Sequence, residues 1–205
     1  MKKCVARITL ITLIGVSLIF TMWSVNGSAK SQQPDRIVDT KPWPNEPVKI
    51  VAVKTKRKPD LEIGKAFIGV DDWLEDFTVT VLNNYGKTVT AMTISMVFVR
   101  EPGDTRPPLA WNLHFGPSPI MREYKDRGPN KVIKVHNTAE LILSHEDYLI
   151  LKHDFEELGY PTIKRVELEI REVGFEDGSM LYSGTFYLQD PAYPNDPTKK
   201  VKAPK

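Results

Sequence analysis

The chain has 205 residues, with 28 lysines and arginines against 26 aspartates and glutamates, and its formal net charge is +2. The first 29 residues hold three of the basic residues and no acidic one, so the remainder has 25 basic and 26 acidic residues. This balance excludes the strongly basic footprint of a nucleic-acid-binding protein. The single cysteine, Cys4, also lies in that first segment, so the remainder offers no disulfide, thiol nucleophile or thiolate metal site.

The first 29 residues have the pattern of an export signal. A positive head of two lysines and an arginine precedes an apolar run without charge over 8–23, and small residues then lead to Ala29, where cleavage is expected. The uncharged stretch 8–29 also approaches the length of a membrane-spanning helix, about 20 residues, so an uncleaved N-terminal anchor is the alternative. Either route places the body outside the cytoplasm, because the positive head stays inside. We expect a periplasmic, cell-surface or secreted protein that meets the membrane only through an uncleaved N-terminal segment.

Two proline-rich segments flank the stretch 48–190, which is long enough for one domain with its own core. Residues 30–47 contain four prolines among charged side chains, which predicts an extended, semi-rigid linker. Trp43 in this linker is a candidate for packing on the domain. Residues 191–205 contain four prolines and four lysines, which predicts a disordered basic tail.

Within the domain, apolar residues recur mainly at every second position, a period that predicts β-strands. The clearest strands are 77–81 and 92–98, and the turn-forming residues 83–87 between them predict a hairpin. Another clear strand is 165–170, whose apolar side chains alternate with charged ones. Shorter strands are predicted at 48–54, 62–70, 111–115, 131–136 and 140–143.

A second hairpin is predicted over 173–188. Its turn, Glu176-Asp177-Gly178-Ser179, places an Asp-Gly pair between two apolar runs, which is a strong hairpin signal. Just before it, the parity of the apolar positions changes between Ile170 and Val173, which predicts a β-bulge.

One segment has helical spacing. Apolar residues recur at this spacing from Tyr148 to Leu158, Ser144 resembles an N-cap with Asp147 as its acidic partner, and a Gly-Tyr-Pro sequence ends the run. The pattern predicts a helix at 145–158. Together with about eight strands, it predicts an all-β, antiparallel, immunoglobulin-like sandwich whose helix covers one open end or edge.

The leader, the proline-rich segment, the turn at 83–87 and the closing sequence 175–191 resemble uncharacterised exported bacterial proteins. Those proteins have an immunoglobulin-like or fibronectin-III-like β-sandwich. The resemblance covers about 48–191 and implies a fold and a compartment. It implies no catalytic residue, because such proteins have no agreed activity. The Cys–Trp–Cys arrangement of true immunoglobulin domains is absent from the sequence.

Two histidines bracket the predicted helix. His145 and His153 are eight residues apart, which places them about 80° apart around a helix. A metalloprotease helix instead needs two histidines four residues apart on one face. The spacing favours capping and a solvated surface over a metal site.

A hydrolytic triad could be assembled from Ser118, His114 and Asp126, but the chain has no Gly-x-Ser-x-Gly elbow. Such triples arise by chance in any chain of this length, since a triad is recognised by geometry. The remaining histidine, His136, lies at the end of a predicted strand. A secreted hydrolase or metal-dependent enzyme that uses His114, His145 or His153 is the alternative to a non-enzymatic protein.

An acidic cluster surrounds Trp73 and consists of Asp71, Asp72, Glu75 and Asp76. Several carboxylates together are typical of a calcium loop, but their spacing does not match the Asp-x-Asp-x-Asp-Gly series. The sequence favours a polar connection between strands in which Trp73 covers the edge of the core.

The long connection 116–130 is the candidate partner-binding segment, because connections of this length are uncommon and often functional. Tyrosine and arginine are enriched at interface hot spots, and the candidate contact residues are Arg122, Tyr124, Lys125 and Arg127. The alternative is a solvated loop that closes over one end of the sandwich.

These observations predict an exported, non-enzymatic binding or structural module at the cell envelope or outside the cell, with no cofactor and no metal. The expected partner is an envelope or extracellular protein or a glycan, and nucleic acid is not expected. A carbohydrate-binding module that uses Trp73 or Trp111 as an aromatic platform is a further alternative.

Overall fold

The computed structural model describes residues 35–118, 131–160, 162–196 and 198–204. These ranges contain twelve strands and one helix, which confirms the all-β class. In chain order the elements are β1 (Asp35–Thr40), β2 (Val48–Thr55), β3 (Lys58–Leu61), β4 (Phe67–Ile68), β5 (Thr78–Asn83), β6 (Val89–Phe98), β7 (Leu109–Phe115), β8 (Thr138–Ile142), α1 (His145–Glu157), β9 (Arg165–Phe175), β10 (Met180–Tyr182), β11 (Thr185–Gln189) and β12 (Lys200–Lys202).

The described strands form one sheet of eight and one sheet of four. The smaller sheet has the order β3–β2–β5–β8. In the larger sheet β6 pairs with β7 and β9, and the other edge of β9 is shared by β1 and β10. The orders β2–β5–β8 and β7–β6–β9–β10 match strands A-B-E and C′-C-F-G of an immunoglobulin-type sandwich. Among the described pairs, β1–β9 is parallel and the others are antiparallel.

The core lies between the two sheets and follows the predicted alternation. Met92, Ile94, Met96 and Phe98 of β6 are at most 1% exposed, and Val79 of β5 is fully buried. Burying a side chain of this size contributes about 1.5–3 kcal/mol. The predicted apolar side chains of these two strands are therefore buried, and Thr93 and Ser95 of β6 are also only 4% and 3% exposed.

The predicted hairpin around 83–87 is wrong, because β5 and β6 lie in different sheets. The connection instead crosses from one sheet to the other, and the buried Asn83 fixes it. Its Nδ2 donates to the carbonyl oxygens of Lys87 and Ile133, each at 2.9 Å, and its Oδ1 accepts from the Tyr85 N–H at 3.1 Å.

The second hairpin and the bulge are confirmed. Thr93 pairs with Glu172 and Ile94 with Ile170, so Arg171 is the extra residue of the bulge. The single strand predicted after the Asp-Gly turn is two strands, β10 and β11. Ser183 and Gly184 join them with φ angles of 44° and 75°, as in a tight turn with two positive φ values.

The predicted linker is corrected over Asp35–Thr40, which forms β1 and pairs with β4 and β9. Val38 and Arg36 are each 1% exposed. Arg36 Nη1 donates to the carbonyl oxygen of Ile163 at 2.7 Å, and Nη2 lies 3.3 Å from Asp71 Oδ1. Burial lowers the pKa of Arg36, although the Asp71 carboxylate partly opposes this effect.

The predicted disordered tail is also corrected for the residues that the structure describes. Residues Lys200–Lys202 form β12, which pairs with β11. The Lys200 Nζ donates to the carbonyl oxygen of Gly178 at 2.7 Å and to Gln189 Oε1 at 2.9 Å. These contacts fasten the segment to the turn between β9 and β10.

The helix α1 starts as predicted, with Ser144 accepting a hydrogen bond from the Asp147 N–H at 3.1 Å. Its last turn has no basic residue, and two arginines outside the helix serve its C-terminal end instead. Arg100 and Arg106 donate to the carbonyl oxygen of Leu158 at 3.2 and 3.1 Å. Positive charges at this end interact favourably with the negative end of the helix dipole. Leu158, the last residue of the predicted helix 145–158, is the C-cap after Glu157, and its side chain is exposed.

Candidate functional site

Trp43 fills a gap along one edge of β9. This edge pairs with β1 as far as Leu168 and with β10 from Glu172 onward. The carbonyl oxygen of Ile170 lies between them and accepts a hydrogen bond from Trp43 Nε1 at 3.1 Å. Because an unpaired backbone group in a buried strand is costly, the indole N–H takes the place of a strand partner.

Two further contacts fix Trp43. Its backbone N–H donates to Glu46 Oε1 at 3.0 Å. Its six-membered ring lies against Gly184, where a Cβ atom would come within 2.7 Å of Cε3 and 3.3 Å of Cζ3. The ring therefore needs a residue without a side chain at position 184, and its orientation is set before any ligand arrives.

The indole also lines a cleft of about 670 Å³, which we call the Trp43 cleft. This volume falls within the range of small-molecule sites, about 300–1,000 Å³. The walls come from β9, the start of β2, the connection between β1 and β2, and the connection between β5 and β6. The lining residues are Thr40, Lys41, Pro42, Trp43, Asn45, Glu46, Pro47, Lys49, Ile50, Asn84, Tyr85, Leu168 and Ile170.

Charges of both signs surround the cleft. Lys41 and Lys49 are exposed, and Glu46 is half-buried. Burial raises the pKa of Glu46, the hydrogen bond from the Trp43 N–H opposes that rise, and the nearby Glu169 carboxylate adds to it. The cleft thus combines one partly desolvated carboxyl group with two solvated ammonium groups, so its lining carries a small excess of positive charge.

The second aromatic ring of the cleft, Tyr85, is also held in place. Its centroid lies 5.1 Å from that of Phe175 and 5.8 Å from that of Phe186. The Lys87 Nζ lies 6.0 Å from the Tyr85 ring centroid, within the range of a cation–π contact. Two fixed aromatic rings therefore line one cleft.

Lys87 connects this aromatic group to the turn between β9 and β10. Its Nζ lies 2.6 Å from Asp177 Oδ2, and the Ser179 N–H donates to Asp177 Oδ1 at 3.0 Å. Burial acts to raise the pKa of Asp177, but the hydrogen bonds from Lys87 and Ser179 outweigh it and lower the pKa to about 2.

We expect the stabilising contribution of Asp177 to be lost in acid. An unfolded aspartate has a pKa of about 3.9. The folded state therefore favours the ionised form, and this contribution is complete above about pH 4 and lost as the pH falls to about 2. Because the Asp177 side chain is 45% exposed, solvent screening limits this contribution to the unfolding free energy to about 1 kcal/mol or less. Asp177→Asn should flatten the dependence of the unfolding free energy on pH in this window, measured by urea titration. An unchanged acid slope would contradict the assigned bonds.

The candidate partner-binding residues Arg122, Tyr124, Lys125 and Arg127 lie outside the described residues, as does Asp126. Contact through the 116–130 connection therefore stays a prediction.

Ser118, which follows β7, and His114 of β7 are bonded to polar side chains of the neighbouring strands, Glu172 of β9 and Thr93 of β6. The Ser118 hydroxyl donates to the buried Glu172 carboxylate, at 2.9 Å from Oε1 and 3.1 Å from Oε2. His114 Nδ1 lies 3.2 Å from Thr93 Oγ1. In a serine hydrolase the serine proton goes to an imidazole, whereas here it is directed to a carboxylate.

The two histidines near α1 make separate contacts at the surface. His145 Nδ1 lies 3.0 Å from Glu75 Oε1, and His153 Nε2 lies 3.3 Å from Glu157 Oε1. His136 is exposed. In the part of the chain that the structure describes, no three histidine, cysteine or acidic side chains are placed to hold a metal ion.

The acidic cluster, which lies between β4 and β5, contacts α1 and the turn between β2 and β3 through hydrogen bonds and ion pairs. Asp72 Oδ1 accepts from the Tyr148 hydroxyl at 2.7 Å and from Lys152 Nζ at 3.1 Å. Glu75 Oε1 accepts from Lys56 Nζ at 3.0 Å. The carboxylates of Asp72 and Glu75 are thus engaged by cations of the protein itself.

The two predicted aromatic platforms, Trp73 and Trp111, differ in their burial. Trp73 is 3% exposed, and its Nε1 donates to the carbonyl oxygen of Ile163 at 3.0 Å, so this ring covers the core edge. Trp111 is partly buried and packs against the core. The platform prediction is wrong for Trp73, whereas Trp111 lines a cleft of about 330 Å³ and Trp43 lines one of about 670 Å³.

The sequence assigned Trp43 to the linker and did not indicate its contacts with β9 and Gly184. A tryptophan between prolines, just before a strand pattern, was the available signal.

Within the described ranges, no helix is both long enough and apolar enough to cross a membrane.

No protein-family model matches this chain, and neither a curated protein nor a solved structure matches it.

Proposed function

We propose that this protein is an exported, non-enzymatic binding module that takes up its ligand in the Trp43 cleft. The observation that carries the proposal is the fixed orientation of Trp43, which is held by the carbonyl of Ile170, the carboxylate of Glu46 and the backbone of Gly184. Binding costs less conformational entropy when the contacting groups are already ordered. Tyr85, held by its own aromatic neighbours, has the same advantage.

The N-terminal pattern supports a site of action at the cell envelope or outside the cell. Its positive head, apolar run and small-residue exit are typical of an export signal. The resemblance to exported proteins with an immunoglobulin-like sandwich agrees with this placement. If the leader is not cleaved, residues 8–29 hold the domain at the membrane surface.

Two features support a binding role over catalysis. The Ser118 hydroxyl is directed to Glu172, and the contacts of His145 and His153 are with surface carboxylates. In these contacts the serine hydroxyl is bonded to a carboxylate and not to the imidazole of a hydrolytic triad. The 116–130 connection, with Arg122, Tyr124, Lys125 and Arg127, is proposed as a second contact with an envelope or extracellular partner.

The test is site-specific photo-crosslinking in living cells. A photoreactive residue replaces Asn84, which is exposed and lines the cleft, or Thr105, which is exposed outside it. We expect a discrete adduct from position 84 and none from position 105. The yield of the adduct should fall about tenfold with Trp43→Ala and stay the same with Tyr193→Ala, which removes an exposed ring elsewhere.

Two outcomes contradict the proposal. One is the absence of an adduct at position 84 in the exported protein. The other is an adduct whose yield is the same with and without the Trp43 ring, because contact with position 84 would then not depend on the cleft.

A further inference from the structure

The backbone along the edge of β9 beside the Trp43 cleft is already engaged. The carbonyl of Leu168 accepts from the Lys41 N–H at 2.8 Å, and the carbonyl of Ile170 accepts from Trp43 Nε1 at 3.1 Å. A peptide that binds as an added strand needs free backbone groups at a sheet edge. The cleft therefore offers side chains to its ligand, and this argues against an extended peptide.

Those side chains combine aromatic rings with neutral amides. Trp43 and Tyr85 supply the aromatic surface, while Asn45 and Asn84 are exposed at the rim. Each asparagine amide has two N–H donors and an acceptor oxygen. Such amides suit hydroxyl groups, which both donate and accept hydrogen bonds. Sugar rings carry an apolar C–H face and a rim of hydroxyls, so they match both parts of this lining.

The charges favour a ligand of low net charge. The lining has two exposed lysines, Lys41 and Lys49, and one carboxyl group, Glu46, so the excess is one positive charge when Glu46 is ionised. A nucleic acid or another strongly anionic polymer would need a larger excess of cations. The volume of about 670 Å³ accommodates more than one ring of an oligosaccharide.

From these contacts we infer that the Trp43 cleft binds a sugar chain, with one ring stacked on the indole and its hydroxyls bonded to Asn45 and Asn84. This inference rests on the proposed binding function and names the class of ligand. The expected mode needs no movement of Trp43, since its N–H and one side of its ring are already engaged.

The test uses the full exported chain and a panel of soluble oligosaccharides. The panel covers gluco-, chito-, manno- and xylo-configured chains and fragments of the producing cell's own envelope polysaccharide. Binding is followed by calorimetry and by the NMR signal of the Trp43 indole N–H, assigned with Trp43→Phe.

At least one chain should shift the Trp43 signal. Trp43→Ala should weaken its binding about tenfold through lost stacking. Asn84→Ala, an exposed change that spares the fold, should weaken it about fivefold through a lost hydrogen bond. Tyr193→Ala should leave the affinity unchanged.

The outcomes separate this inference from the proposed function. If no sugar in the panel binds while the crosslink at position 84 persists, the module binds a different ligand and the sugar assignment is overturned. If a sugar binds with the same affinity in the Trp43→Ala and Asn84→Ala variants, its site is not the cleft. If both the crosslink and sugar binding are absent, the two proposals fail together.

Discussion

Gly116→Ala should destabilise the domain by about 4 kcal/mol or more. Single substitutions cause a loss of this size only when they create a severe steric clash or leave a buried polar group without a partner. Gly116 follows β7 with a φ of +66°, and a Cβ atom there would lie 2.1 Å from the carbonyl oxygen of Thr90. This oxygen belongs to the backbone at the start of β6. Met92, two residues after Thr90, pairs with Phe115, the residue before Gly116. Relief of the clash therefore requires the end of the β6–β7 ladder to open.

The matched control is Gly178→Ala. Gly178 also has a positive φ, +76°, but a Cβ atom there would meet Gln189 only at 3.8 Å. The cost should thus be the conformational one, about 1–2 kcal/mol. Urea denaturation gives both free energies of unfolding. Equal losses for the two variants would contradict the close approach of position 116 to Thr90.

Val38→Asp should destabilise the domain by about 4 kcal/mol, because it buries a carboxylate without a partner. Val38 is 1% exposed and pairs with Val166 in the parallel ladder of β1 and β9. Lys41→Asp is the control, since it places the same carboxylate on an exposed residue just after β1. If residues 35–40 were a linker, both variants would unfold at the same urea concentration as the unmodified chain.

The strands that follow the period of two could be predicted from the sequence because their burial pattern is local. The alternation in β6 identified the faces of Met92 and Met96, and the change of parity after Ile170 identified the bulge at Arg171. The helix could be predicted for a similar reason, since the N-cap at Ser144 is encoded within one turn. Each of these features depends on neighbours along the chain.

The missed features depend on partners that are distant along the chain. β1 is short, and its partner β9 is more than a hundred residues away. β12 alternates lysine with one valine and is a strand because β11 lies beside it. The hairpin at 83–87 failed for a related reason. The period of two identifies a strand, but it does not say whether the next strand lies in the same sheet.

The candidate site could not be predicted from the sequence because its anchor is a backbone group. Trp43 donates to the carbonyl of Ile170. That carbonyl has no strand partner on this edge of β9, because β1 pairs only as far as Leu168 and β10 only from Glu172. Nothing in the side chains of Trp43 or Ile170 encodes that gap. The stacking of Trp43 on Gly184 likewise depends on a turn that the sequence pattern placed inside one long strand.

The central claim is that a ligand occupies the Trp43 cleft, and the yield of the adduct from position 84 tests it most directly. The yield should be measured in the same cells for the unmodified protein and for Trp43→Ala, with equal amounts of exported protein. Because Trp43→Ala loses the stacking contact, its yield should be about tenfold lower than that of the unmodified protein. A ratio near one would contradict the account.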